Sequence, residues 1–200
     1  MADRQKLIGV CLSEAHSVLN TGFLNELNAA AAAEGYALVL FNSTTNPYRA
    51  DETASSRSLY RVINFSIYDA IVIIYYSIRD RQLLNEIAVG ARRRHVPVIS
   101  VGEELPGCWS IVNNNRDSYR ALLRHVIMDH GAKDTLYIAG PEDEPTSRAR
   151  VECYREMLEE CGLPFRPERV HCADYIPDRA AGIVLQMIRR KEPLPPQEYA

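Results

Sequence analysis

Short apolar runs alternate with amphipathic stripes along the whole chain, and nothing else in the sequence constrains the fold as strongly. The runs lie at 7–12, 37–41, 70–76, 96–101, 110–112, 136–139 and 170–173. Several show little polar alternation, as parallel strands covered on both faces require. Stripes at helical spacing separate them: Phe23, Leu24, Leu27 and Ala31; Leu59, Val62 and Ile63; Leu83, Leu84, Ile87 and Ala91. The series continues with Tyr119, Leu122, Leu123, Val126 and Ile127, then Val151, Tyr154, Met157 and Leu158, then Ile183, Val184, Met187 and Ile188. All are read as core-facing helix surfaces, none as a cofactor contact. Repeated strand–helix units imply right-handed crossovers and a doubly wound parallel sheet, an α/β fold.

The punctuation agrees. Gly35, Gly131 and Gly162 each follow a helical pattern and suit the left-handed position after a helix. Thr146 or Ser147 is expected to cap the helix that carries Arg150. Asp178 belongs in the first turn of the last helix. Arg92-Arg93-Arg94 and Arg189-Arg190-Lys191 belong at helix ends, where cations complement the dipole. Residues 131–134 look like a crossover, which predicts an N-terminal lobe over 1–131 and the start of a second over 132–200.

Composition narrows the function. A formal net charge of −3 with 24% charged residues shows no nucleic-acid surface. The N-terminus has no apolar signal core, and no apolar run spans a bilayer. The 5 cysteines lack CxxC spacing and read as reduced thiols, so a cytoplasmic, non-membrane protein is expected. No GxGxxG, Walker loop, HExxH or GxSxG is present. Ser13, His16 and Asp143 are too scattered to argue a triad. His171 and Cys172 point to opposite faces of a strand. Glu142-Asp143-Glu144 reads as a solvated rim. No catalytic residue, cofactor or metal ligand is assigned.

Ligands of doubly wound sheets bind past the carboxyl ends of the strands. Those positions hold Ser13, Glu14 and His16, then Asn42 and Ser43, then Tyr75, Tyr76 and Ser77, then Gly102 and Glu103. Hydroxyls, amides and an aromatic pair suit a polyhydroxylated ligand. One of the two tyrosine rings can equally pack inward. The stretch from Thr135 through Gly140-Pro141 to Tyr154 supplies another such position: a strand, a turn and then a helix bearing Arg148 and Arg150. On the helical pattern alone, Arg150 is open to being a solvated residue.

The wording of several segments carries a resemblance. Lys6-Leu7-Ile8-Gly9-Val10, Val96-Pro97-Val98-Ile99-Ser100-Val101, Val112-Asn113-Asn114 and above all Gly140-Pro141 through Tyr154 resemble the ligand-binding domain of LacI/GalR-type regulators, relatives of periplasmic binding proteins. The resemblance implies two doubly wound lobes of periplasmic-binding-protein type. A sugar-like or nucleoside-like ligand would sit between them, and closure would pass to an output domain. It implies a homodimer and a role in transcription regulation. Arg150 falls where the family's Arg holds the ligand. Asn113 replaces the family's usual Asp, and an amide both donates and accepts. No helix-turn-helix precedes the first strand, so no direct nucleic-acid contact is expected from this segment. The chain stops at Tyr199-Ala200, so the second lobe is expected to be incomplete. The alternatives are a sensor module of a diguanylate cyclase or histidine kinase, suggested by the Asn-rich segment and Ser100–Leu105, and a doubly wound enzyme with an unrecognised active site.

Overall fold

The computed structural model describes residues 4–44, 58–192 and 194. The chain divides into two compact units, Met1–Asn113 and Asn114–Ala200. The division falls ahead of the helix that the sequence reading placed in the first lobe. The reason lies in that helix's partners: Arg116 pairs with Glu156, Arg120 with Glu160, and Tyr119 with Tyr137.

In the first unit β1 (Lys6–Ser13), β2 (Tyr36–Ser43), β3 (Ala70–Ile74), β4 (Val98–Val101) and β5 (Trp109–Ile111) form a 5-stranded sheet of order β2-β1-β3-β4-β5. Every pairing is parallel. Helices α1 (Val18–Ala33), α2 (Tyr75–Ile78) and α3 (Arg81–Arg92) connect them, and residues 58–61 are also helical. Strand alternation sorts the apolar side chains into two layers. Cys11, Ile71 and Ile73 join Leu83, Leu84, Ile87 and Ala91 on one face. Val10, Leu12, Val72 and Ile74 meet Phe23, Leu24 and Leu27 on the other. Leu12, Ile71, Ile73, Ile74 and Leu84 are fully buried, each contributing about 1.5–3 kcal/mol of transfer free energy.

Local chemistry sets the helix starts. Ser17 caps α1 by accepting the Asn20 N–H at 3.3 Å, and Asp80 caps α3 by accepting the Leu83 N–H at 3.0 Å. Gly35 follows α1 with φ 76°, the left-handed value that favours glycine.

In the second unit α4 (Arg116–Arg124) runs into a π-helical turn, His125–Asp129. Then come β6 (Tyr137–Ala139), α5 (Pro145–Glu160), β7 (Val170–Cys172) and α6 (Pro177–Arg189), with β6 and β7 paired in parallel. Ile127, Tyr154, Met157 and Leu158 form the core with Tyr137, Phe165 and Val170. The Tyr137 and Tyr154 rings stack at 4.8 Å.

Several local expectations change. The run 70–76 is not all strand: β3 stops at Ile74 and Tyr75-Tyr76 begin a short helix. Its partner β4 stops at Val101, and Gly102 turns away with φ 112°, so the β3–β4 ladder ends at Ile74. The cap of α5 is Glu144, not Thr146 or Ser147, because Pro145 takes the first helical position, where its missing N–H costs nothing. Val62, Leu122 and Ile188 are exposed rather than core. Gly131 and Gly162 have the expected positive φ, and Asp178, Arg92 and Arg189 sit at the expected helix ends. No described helix is long and apolar enough to cross a membrane.

Candidate functional site

The carboxyl end of the five-stranded sheet gathers Ser13 and His16 after β1, Tyr75 and Tyr76 after β3, and Glu103 after β4. Hydrogen bonds lock these strand ends together. The Ser13 N–H donates to Ser77 Oγ at 3.0 Å, and Ser77 Oγ donates to the Ile74 carbonyl at 2.9 Å. Ser13 Oγ donates to the Ser43 carbonyl at 3.2 Å. The Ala15 N–H donates to Asn42 Oδ1 at 2.9 Å. Asn20, although on α1, is buried and gives its amide N–H groups to the Ser13 and Glu14 carbonyls at 2.9 and 3.0 Å. Tyr60 OH donates to the Leu12 carbonyl at 2.6 Å. These bonds tie the first two strand ends into one frame, in which Asn20 Oδ1 is buried without a hydrogen-bond partner among the described residues. Ser13 is buried within it, whereas His16 stands exposed beside it.

Both tyrosine rings are half-buried. Tyr75 packs on the Ile71 layer and Tyr76 on the Val72 layer. Gly102 makes room for them: a Cβ there would lie 3.0 Å from Tyr76 Cδ1 and 3.7 Å from Tyr75 Cβ. Burial, followed by the neighbouring Glu103 carboxylate, pushes the Tyr75 hydroxyl up to about 12. Glu103 Oε1 is buried without a hydrogen-bond partner among the described residues, although the carboxylate interacts with the Tyr75 hydroxyl. A buried acceptor of that kind invites a donor from outside the frame. Asn113, the last residue of the first unit, is exposed.

The second unit offers its own strand ends. The Glu144 carboxylate accepts the Ser147 N–H, and the Tyr175 hydroxyl donates to Glu144 Oε2 at 3.3 Å. Tyr175 has φ 57° and lays its ring on Gly140, where a Cβ would come within 2.1 Å of Cζ. No helical or strand period marks Tyr175, so the sequence did not single it out. Cys172 Sγ lies 3.2 Å from the Gly140 carbonyl and 3.0 Å from Asp174 Oδ1, two acceptors for its single S–H; burial first, then Asp174, holds the thiol above its ordinary range.

Arg150 lies on the second turn of α5, half-buried. Burial and the bond to Tyr137 raise the Tyr119 hydroxyl, and burial with Glu144 raises that of Tyr175; the charge of Arg150 opposes both shifts. Arg116, Arg120, Arg155, Arg166, Arg169 and Arg179 are all ion-paired. Arg150 forms neither an ion pair nor a hydrogen bond among the described residues. Arg148 is exposed and donates only weakly, to the Glu142 carbonyl at 3.3 Å. A cavity of about 460 Å³ beside α5 is lined by Gly140, Ser147, Arg148, Val151 and Cys172.

Neither a protein-family model nor a curated protein matches the chain. Solved structures do. A sugar-binding transcriptional regulator of the LacI family from Escherichia coli, complexed with phosphate, superposes with a TM-score of 0.68 at 17% identity, over 94% of this chain and 65% of its own. The transcription regulator CcpA of Lactococcus lactis gives 0.72 at 19%, over 94% and 65%. The lac repressor dimer bound to operator and the anti-inducer ONPF gives 0.72 at 16%, over 97% and 64%. The chain therefore spans somewhat under two thirds of the length of these structures. Together with the parallel sheets and their strand order, these superpositions establish that the chain has the periplasmic-binding-protein-like α/β fold of LacI-family regulators.

Proposed function

We propose that the chain is a small-molecule sensor domain of a transcriptional regulator, and that Arg150 anchors a sugar-like or nucleoside-like ligand. The observation that carries this reading is the half-buried guanidinium of Arg150, which has no ion pair or hydrogen bond among the described residues and whose charge acts on the Tyr119 and Tyr175 hydroxyls, in a unit where Arg116, Arg120, Arg155, Arg166, Arg169 and Arg179 are ion-paired. Leaving a cation half-desolvated without a partner costs free energy that a ligand's oxygens recover. Five donors in a fixed fork suit hydroxyls, ring oxygens or carboxylates. Within the first unit, taken by itself, the exposed Asn113 and His16, the half-buried tyrosine pair and Glu103 are proposed as further polar and aromatic ligand contacts.

Support comes also from the fold. One structure that shares it is described as sugar-binding, and another as a repressor dimer. A homodimer is proposed on the same basis. No arrangement of nucleophile, base and oxyanion donors emerges among the described residues to support an enzyme. The test is a thermal-shift screen of sugars, nucleosides and related metabolites on the full chain, followed by calorimetry on the best binder. A charged hydrogen bond is worth about 1.5–3 kcal/mol, so Arg150→Ala weakens binding roughly ten- to a hundredfold. Arg148→Ala leaves it nearly unchanged, since that side chain is exposed. Unaltered affinity in Arg150→Ala, or a larger loss in Arg148→Ala, overturns the assignment.

A further inference from the structure

We propose that His125 and His130 form a chelating site for a late first-row divalent metal ion, Cu²⁺ or Ni²⁺ before Zn²⁺, at the end of α4. In an α-helix, residues five apart point to nearly opposite sides. Here His125–Asp129 is a π-helical turn, closed by the His130 N–H donating to the His125 carbonyl at 3.2 Å. A π turn brings residues five apart onto one side, and such turns recur at functional sites. The result is that His125 Nε2 and His130 Nε2 lie 2.9 Å apart.

The two rings do not meet as a straight hydrogen bond. With a ring radius of about 1.15 Å, a linear N–H···N contact of this length puts the centroids about 5.2 Å apart. They are 4.5 Å apart, at an interplanar angle of 82°. The axes through the two Nε2 atoms are therefore bent toward one another. A point about 2.05 Å from both nitrogens, the usual metal–imidazole distance, subtends about 90° at a separation of 2.9 Å. The same point, extended back through the rings, puts the centroids about 4.5 Å apart, as observed. A right angle at the metal matches adjacent positions of tetragonal or octahedral ions; tetrahedral Zn²⁺ wants a wider one.

Asp129 supplies an independent indication. Its Oδ2 lies 2.7 Å from His125 Nδ1. A carboxylate on the distal nitrogen fixes the tautomer whose Nε2 lone pair is free to ligate, the usual outer-shell arrangement of metal-bound histidine. His130 then adopts the tautomer protonated on Nδ1. Among the described residues no group of three or more His, Cys, Asp or Glu closes on one point, so water completes the coordination. The His125 and Asp129 side chains are 55% and 67% exposed, which leaves the ion an open entry path.

The experiment is calorimetric titration of the untagged full chain with CuCl₂, NiCl₂ and ZnCl₂, with MgCl₂ as the hard-cation control. One equivalent of Cu²⁺ and of Ni²⁺ binds saturably, and the paramagnetic resonance spectrum of the Cu²⁺ form shows coupling to two nitrogens. His125→Ala and His130→Ala each remove that spectrum and weaken binding at least tenfold. Asp129→Asn keeps both ligands and weakens binding about ten- to a hundredfold. Circular dichroism on each variant reports folding, and His130→Gln replaces any alanine variant that fails to fold. Metal affinity unchanged in both histidine variants assigns binding to the cysteines and overturns the proposal, as does a spectrum without two-nitrogen coupling.

Discussion

Ser77→Ala tests whether the strand ends of the first unit are held as a single frame. Ser77 is 5% exposed; its hydroxyl accepts from the Ser13 N–H at 3.0 Å and donates to the Ile74 carbonyl at 2.9 Å. Alanine fills almost the same volume, so the cavity term is negligible and the change isolates the hydrogen bonds. The Ser13 N–H then loses this acceptor inside a residue that is itself only 2% exposed. An orphaned buried donor costs about 1–3 kcal/mol. A central expectation is about 2 kcal/mol, roughly a thirtyfold fall in the folding constant of this unit. The assay is urea unfolding followed by circular dichroism, with hydrogen exchange on the β1 peptide to assign the transition. Exchange at β1 accelerates by the same factor, while peptides of β6 and β7 keep their rates. Ser110→Ala is the control, since Ser110 is exposed and surface changes stay within about 0.5 kcal/mol. A shift below that level in Ser77→Ala, or an equal one in Ser110→Ala, refutes the reasoning.

Two glycines with open space around them should respond in opposite directions. Gly22→Ala, inside α1, gains about 0.8–1 kcal/mol of helix propensity, whereas Gly35→Ala, at φ 76°, loses about 1–2 kcal/mol; thermal unfolding of both variants decides it. Alkali should destabilise the first unit. Burial raises Cys11 and Tyr60, and burial with Glu103 raises Tyr75 to about 12. The folded state therefore keeps protons that the unfolded chain releases from about pH 8.5 for a thiol and about pH 10 for a phenol. That stability is fully present below those values and falls as pH climbs toward 12. The urea midpoint should hold through neutral pH and drop above it, and Cys11→Ala should remove the earliest part of the drop. A midpoint that rises between about pH 9 and 11 contradicts the sign.

The alternation of apolar runs and stripes was sufficient to read the order of the elements, their parallel pairing and the glycines that end helices. Burial demand and left-handed backbone are local requirements, and local requirements leave a period or a residue type in the chain. The resemblance around Gly140-Pro141 suggests Arg150 as a ligand contact, and the strand ends suggest Tyr75, Tyr76 and Glu103; these assignments are proposals. What no period encodes is which distant group answers a polar atom. Asn20 and Tyr60 satisfy the carbonyls that close β1 because packing brings α1 and residues 58–61 to that edge. Tyr175 covers Gly140 across 35 positions of sequence because β7 lies beside β6. That Arg116, Arg120 and Arg155 pair with carboxylates while Arg150 pairs with none among the described residues is visible only in the fold. The convergence of His125 and His130 needs a π turn, which ordinary helical spacing hides. Periodicity reports how much of a residue must be buried; only the folded packing decides against what.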